Sequence, residues 1–334
     1  MTRRLAEVAK KVGVSEATVS RVLNGKPGVS DATRATILSA LDVMGYERPT
    51  QLRGDRARLV GMVMPELQNP IFPAFAEVIG GGLVQRGLTP VLCTSTAGGM
   101  SEPAYVTMLL QQQVSGMVFF GGAHAEGDAS HSHFEQLHER KIPVVLMNAA
   151  VDSLNFPTVS TDDIAAVELA FAHLRSLGHQ RIGLVVGPRD HIPSQRKLST
   201  FLRVAKDAGL DVSDLVEHSM FTLEGGQLAT SQLIARGCTG ALFASDPMAL
   251  GGIRAARRAG LNVPRDFSLI GFDDSALMAC TDPPLSTIRQ PIEAMGRAAV
   301  SLLLTEIEGG ASAPRELLFE PELVVRGTTG PAPA

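Results

Sequence analysis

A chain of 334 residues with 45% hydrophobic content has room for roughly two to three domains with large cores, and no run of about 18 apolar residues is present to span a membrane. The opening MTRRLAEV lacks the apolar stretch of a secretory signal, and three cysteines (Cys93, Cys238 and Cys280) without CxxC spacing read as buried thiols in a reducing compartment, so a cytoplasmic protein without disulfides, metal or cofactor is expected. The net charge of −4 argues against a nucleic-acid binder, but eleven basic residues minus six acidic ones through residue 58 leave +5 there and −9 on the remainder. A basic module on an acidic body follows.

The first elements are two short helices within RLAEVAKKVGVSEATVSRVLN, residues 4–24. Leu5, Val8, Ala9 and Val12 recur at helical spacing. Gly13 stands where a sharp turn needs a residue tolerant of positive φ. Ser15 occupies an N-cap position, and Val19, Val22 and Leu23 give the second helix an inner face. Two helices joined by a short turn containing Gly form a helix–turn–helix. The outward face of the second helix carries chemistry suited to DNA. Glu16 and Ala17 lie in its first turn, and Arg21 about one turn further on. Glu can accept from cytosine N4, Ala can touch the thymine methyl, and Arg can grip guanine O6 and N7 together. Ser15, Thr18, Ser20 and Asn24 are short donors suited to phosphate oxygens, which fix register without reading sequence. Ser30, grouped with these DNA-facing residues, can cap a third helix whose Ile37, Leu38, Leu41 and Met44 close the small core. On periodicity alone, an ordinary helical hairpin in a larger core is the alternative.

The residues VAKKVGVSEATVSRVLNGKPGVSDATR, followed by LDVMGY, resemble the DNA-binding headpiece of the LacI/GalR family of bacterial repressors. That resemblance implies a headpiece over 1–46 and a linker over 47–58. In the family the linker forms a hinge helix that wedges a Leu into the minor groove and kinks the duplex. Here YERPTQLRGDRAR is about three residues short and lacks the usual spacing of small residues and Leu. Leu52 is the candidate wedge, and a basic tether that contacts phosphates only is the other reading.

From residue 59 the texture changes. LVGMVMP, TPVLCTS, GMVFF and PVVLMN read as strands separated by helices over IFPAFAEVIGGGLVQRG, AYVTMLLQQQ and FEQLHERK. The pattern then resumes with strands at RIGLVVG, LVEHSMF, GALFAS, DFSLIGF and LSTIRQ. Helices at IAAVELAFAHLRSLG, RKLSTFLRVAKDAG, GGQLATSQLIARG, PMALGGIRAARRAG and PIEAMGRAAVSLLLTEIEGG intervene, and RELLFE and ELVVRG close the chain as short strands. Strand–helix alternation implies α/β units with parallel sheets. Two successive doubly wound units of similar size imply two lobes, with a ligand site at the carboxyl ends of the strands.

The resemblance extends over this body through NPIF, LGHQRIGLVVGP, SDPMALGGIRAARRAGLNVPRDFSLIGFDD and DPPLSTIRQP. It implies a two-lobed, periplasmic-binding-protein-like core over 59–330 that binds a small effector between its lobes and dimerises. GYERP, TPVLCTSTAGG, TLEGGQ and PELVVRG are most similar to the maltose-type regulators of high-GC Gram-positive bacteria. The resemblance implies an effector site as well. Asp273 matches a carboxylate that accepts sugar hydroxyls, and Phe221 an aromatic that stacks on the ligand. Phe72, Asn148 and Gln290 match cleft positions. The family's effector Arg aligns with Lys197, beside Arg196, and either could reach the ligand. The family's Asn-Asp pair is Ser245-Asp246 here, and its Asp-Asn pair is Asp162-Asp163.

Other motifs offer less. His124, His131, His133 and His138 fall in a polar stretch that reads as a solvated loop and helix start, not a metal site. IGGGL sits inside a helical pattern, and no phosphate-binding loop or GxSxG motif is present, so no enzyme is indicated. What results is a DNA-binding regulator, a homodimer on an inverted-repeat operator released by a sugar. A co-repressor, a non-sugar effector or a sugar-binding protein without gene control remain the alternatives.

Overall fold

Hydrophobic spacing at the N-terminus produces a small helical unit. The computed structural model describes residues 8–23, 26, 28–43, 58–95, 98–150, 155–310 and 316–333. Contacts divide the chain into Met1–Arg58 and Leu59–Ala334. In the first unit a helical turn over 8–12 precedes α1 (Glu16–Leu23) and α2 (Asp31–Val43). Val8, Ala9, Val19, Val22 and Ile37 are buried together, with Val12, Val14 and Val29 packed against them. Gly13 makes the turn at φ +74°, a conformation that costs glycine little because it has no Cβ. Leu5, Asn24, Met44 and Leu52 lie outside the described residues, as do the side chains of Leu23, Leu38 and Leu41.

Among the described residues the second unit holds twelve strands in two six-stranded sheets. The first sheet draws on β1 (Arg58–Met64), β2 (Leu88–Thr94), β3 (Gly116–Phe120), β4 (Val144–Met147), β5 (Thr158–Thr161) and β11 (Glu316–Phe319), in the order β11-β5-β4-β3-β1-β2. The second draws on β6 (Ile182–Val186), β7 (Val216–His218), β8 (Gly240–Phe243), β9 (Ser268–Asp273), β10 (Thr287–Arg289) and β12 (Glu322–Val324), in the order β12-β10-β9-β8-β6-β7. Consecutive side chains point to opposite faces, and both faces of the first sheet are covered. Met62, Met64, Val118 and Phe120 enter one core, while Val63, Met117 and Phe119 enter the other.

Three features differ from expectation. The two lobes are not successive halves of the chain. The helix Ile292–Ile307 returns to the first lobe, where Met295, Ala299 and Leu303 join its core, and β11 then pairs with β5. Only afterwards does β12 re-enter the second sheet, antiparallel to β10, in a sheet otherwise parallel. The strand Thr158–Thr161 carries too many hydroxyls to stand out as a strand. It is nonetheless wholly buried, because Ser160 donates to Glu316 at 2.6 Å and Thr161 to Gln290 at 2.7 Å. The third difference concerns thiols and imidazoles. Cys280 is exposed, unlike Cys93 and Cys238. His124 and His133 are buried, not solvated, because both pack around Phe134, at 5.9 and 4.2 Å between ring centroids. His133 also has a half-buried partner of its own in Glu102, at 2.7 Å.

Leu303 is fully buried against the opposite end of the sequence, so it tests the exchanged segment. Leu303→Ala should destabilise the body by about 2–5 kcal/mol. Hydrogen exchange should show amide protection lost in the strands between 60 and 161. Loss confined to 182–289 would contradict the assignment.

Candidate effector cleft and nucleic-acid interface

Parallel sheets leave strand carboxyl ends, and the helix starts that follow them, along one edge. Ligands bind where the strand order reverses. In the first sheet the order reverses between β1 and β3; in the second it reverses between β6 and β8. The segments after all four strands meet in one cleft of about 630 Å³, lined by Pro65, Gly121, Pro188 and Ser245 among others. Phe72, Asn148, Lys197, Phe221, Ser245, Asp273 and Gln290 all line it.

Arg196 does not, and here the expectation is corrected. Neighbouring helical residues point about 100° apart, so only one of the pair can face the cleft. Arg196 turns to Glu316 and donates to both carboxylate oxygens at 2.8 and 3.1 Å. Lys197 faces the cleft, donates to Asp163 and lies 4.1 Å from the centre of the Phe272 ring. Both members of the Lys197–Asp163 pair are buried.

Asp273 is 4% exposed. Its Oδ1 accepts from Gln290 at 2.6 Å, and Asn69 of the first lobe reaches Oδ2 at 3.5 Å. Burial pushes the Asp273 carboxyl well up, and the neighbouring Asp246 charge adds to this. Asp246 accepts from the Thr287 hydroxyl at 2.6 Å and the Ser275 amide at 2.8 Å, and burial pushes it up to about 7. Two non-glycine cleft residues occupy the left-handed region: Asn148 at φ +67° and Asp273 at φ +116°. Such strain persists only where surrounding structure imposes it, and it clusters at functional sites. Asn148 is tied by its carbonyl to the Thr161 amide at 3.3 Å.

Phe221 packs its edge on His191, with ring centroids 4.9 Å apart, and its ring fills the space beside Gly187 that a Cβ would occupy. Burial holds His191 down to about 3, so its imidazole is neutral, and its Nδ1 serves Ser194. The hydroxyls of Ser95 and Ser245, both on the cleft, are buried and find no hydrogen-bond partner among the described residues. Buried unpaired donors are costly and favour a polar ligand. Sequence reasoning missed Glu66, Asn69, Ser95, Glu126 and His191, all of which line the cleft. Each follows a strand of these sheets by a few residues, so the carboxyl-end rule was the available signal.

In the small unit, Val19 and Val22 of α1 are wholly buried, while Ser15, Glu16, Ala17 and Arg21 are exposed and Thr18 and Ser20 half-buried. The Ser15 hydroxyl caps the helix, accepting from the Thr18 amide at 3.1 Å and pairing with its hydroxyl at 2.8 Å. Ser30 repeats the arrangement with Thr33 at the start of α2. Lys10, Lys11 and Lys26 are exposed beside this surface in sequence.

Comparison with known proteins agrees with both halves. Residues 4–49 match the bacterial regulatory proteins of the lacI family, and residues 171–329 match a periplasmic binding protein-like domain. The chain is 54% identical to the HTH-type transcriptional regulator reg1 of Streptomyces lividans, over 100% of this chain and 98% of that protein. It is equally identical, with the same coverage, to the HTH-type transcriptional regulator MalR of Streptomyces coelicolor. Among solved structures, a transcriptional regulator CelR–cellobiose complex matches with a TM-score of 0.74 at 29% identity, covering 97% of this chain and 99% of that one. The lac repressor dimer bound to operator and an anti-inducer matches with a TM-score of 0.73 at 28% identity, covering 97% and 98%. With relatives this close along its whole length, the chain belongs to the lacI family of bacterial regulatory proteins and is a DNA-binding transcriptional regulator, not an enzyme.

Proposed function

We propose that this protein is a repressor of sugar-utilisation genes of the maltose or maltodextrin type, released from its operator by a small sugar. The observation that carries the effector half is the cleft's chemistry: an aromatic platform at Phe221 beside buried, unpartnered hydroxyls at Ser95 and Ser245 and a buried carboxylate at Asp273. A sugar offers an apolar ring face and several hydroxyls, which such a site satisfies together. Similarity to MalR and to a cellobiose-bound regulator supports the same class. Asp273, Gln290, Asn148, Lys197 and Ser245 are the polar contacts in this reading, and Phe72 and Phe221 the apolar ones.

The DNA-reading residues are Glu16, Ala17 and Arg21, with Ser15, Thr18, Ser20, Asn24 and Ser30 toward phosphates and Leu52 in the linker. One helix–turn–helix reads one half-site, so a homodimer on an inverted repeat is required, matching protein symmetry to DNA symmetry. Similarity to the lac repressor dimer on operator supports that assembly. The domains take the ranges 1–46, 47–58 and 59–330, and the regulator works in the cytoplasm. For induction, sugar must bind the DNA-incompetent arrangement of the dimer more tightly than the competent one; equal affinity shifts nothing.

Three variants test this. Arg21→Ala should cost about 1–3 kcal/mol and relax preference at one base position, while Lys10→Ala should weaken binding to all sequences alike. Uniform loss from both, read by anisotropy on operator variants, would remove Arg21 from base recognition. Asp273→Ala should keep operator affinity and lose release by maltose. Undiminished release would take Asp273 out of the effector site.

A further inference from the structure

Helix starts are the usual docking points for anions, because their first amides lack intrahelical partners. Several helices start beside cleft-lining residues, and at four of these starts a side chain accepts from a first-turn amide. Asn69 accepts from the Ile71 amide at 3.2 Å at the head of Ile71–Val84. Asp162 takes the Ile164 and Ala165 amides at the head of Asp163–Ser176. His191 takes the Ser194 amide at the head of Ile192–Asp207, and Thr222 takes the Gly225 amide at the head of Leu223–Ala235. Asp246 adds an acidic side chain to the first turn of Asp246–Arg258, although its oxygens accept from Ser275 and Thr287 rather than from that helix.

The side-chain charges are equally one-sided. Among the described residues no arginine lines the cleft, and its lysine, Lys197, is offset by its ion pair with Asp163. The remaining carboxylates are Asp273, Glu66 and Glu126. Glu66 is half-buried and Glu126 exposed, and among the described residues neither has a cation beside it. Burial raises the Glu66 carboxyl; burial, then Asp190 and Glu102, raise Glu126. A hydroxyl donor relieves such groups, whereas a phosphate brings further negative charge up to carboxyl groups that no cation among the described residues offsets.

We propose that the cleft is built against anions, so that its effector is an uncharged polyhydroxy compound and Glu66 and Glu126 determine the rejection of its phosphorylated counterpart. This rests on the cleft being the effector site and sharpens the sugar reading. The sequence could not show it, because neither glutamate belongs to a motif and the helix caps come from four separate segments.

Isothermal titration calorimetry of the full chain with matched pairs tests the proposal. The pairs are maltose and maltose 6′-phosphate, trehalose and trehalose 6-phosphate, and cytidine and cytidine 5′-monophosphate. In whichever pair binds, the neutral member should bind at least about tenfold more tightly. The gap should narrow in about 0.5 M NaCl, where screening shortens to a few ångströms. It should narrow also in the double variant Glu66→Gln, Glu126→Gln. The salt arm uses unmodified protein, so it stands even if that variant folds poorly. Binding of the cytidine pair alone, with the neutral member preferred, would end the sugar reading and keep the charge rule. A phosphorylated member that binds as tightly as its neutral partner would overturn the rule. A gap indifferent to both salt and the Gln substitutions would overturn the role of the two glutamates.

Discussion

The cleft of the larger unit is organised around one buried carboxyl group. Asp273 ends a central strand of the second sheet, cut off from water, and its two oxygens look to different parts of the body. Gln290 holds one, and Gln290 in turn accepts from Thr161 of the first sheet. Asn69, at a helix start of the first lobe, approaches the other. A group that arrives between the lobes therefore meets a network already spanning them. Buried polar networks of this kind are stable only when satisfied, so replacing one partner by a ligand hydroxyl changes the balance between lobe arrangements.

The exchanged C-terminal segment gives that network its frame. Because Ile292–Ile307 and β11 return to the first lobe before β12 enters the second, the chain crosses between lobes more than once. Arg196 of the second lobe pairs with Glu316 on β11 beside one such crossing, and Glu316 also holds Ser160 of β5.

Much of this was legible from residues alone. Period-2 and period-3.6 patterns located most strands and helices, and the headpiece pattern was dense enough to read residue by residue. Thr158–Thr161 escaped because its buried positions are hydroxyl-bearing, and burial there depends on Glu316, more than 150 residues away. The lobe exchange escaped because periodicity reports faces, not partners. Phe221 and Asp273 were found through resemblance, whereas Glu66, Ser95 and Glu126 become visible only when strand ends from both sheets meet. Arg196 and Lys197 could not be separated in sequence, since only the helix phase decides which one faces the cleft.

The most direct measurement is fluorescence anisotropy of the unmodified, full-length protein on a labelled inverted repeat from beside its own gene, at fixed salt, with maltose titrated in. The account predicts tight binding without sugar and saturable release as maltose is added. Tight binding that persists through saturating maltose and longer maltodextrins would contradict sugar induction. Absence of sequence-specific binding in sugar-free solution would contradict the repressor reading itself.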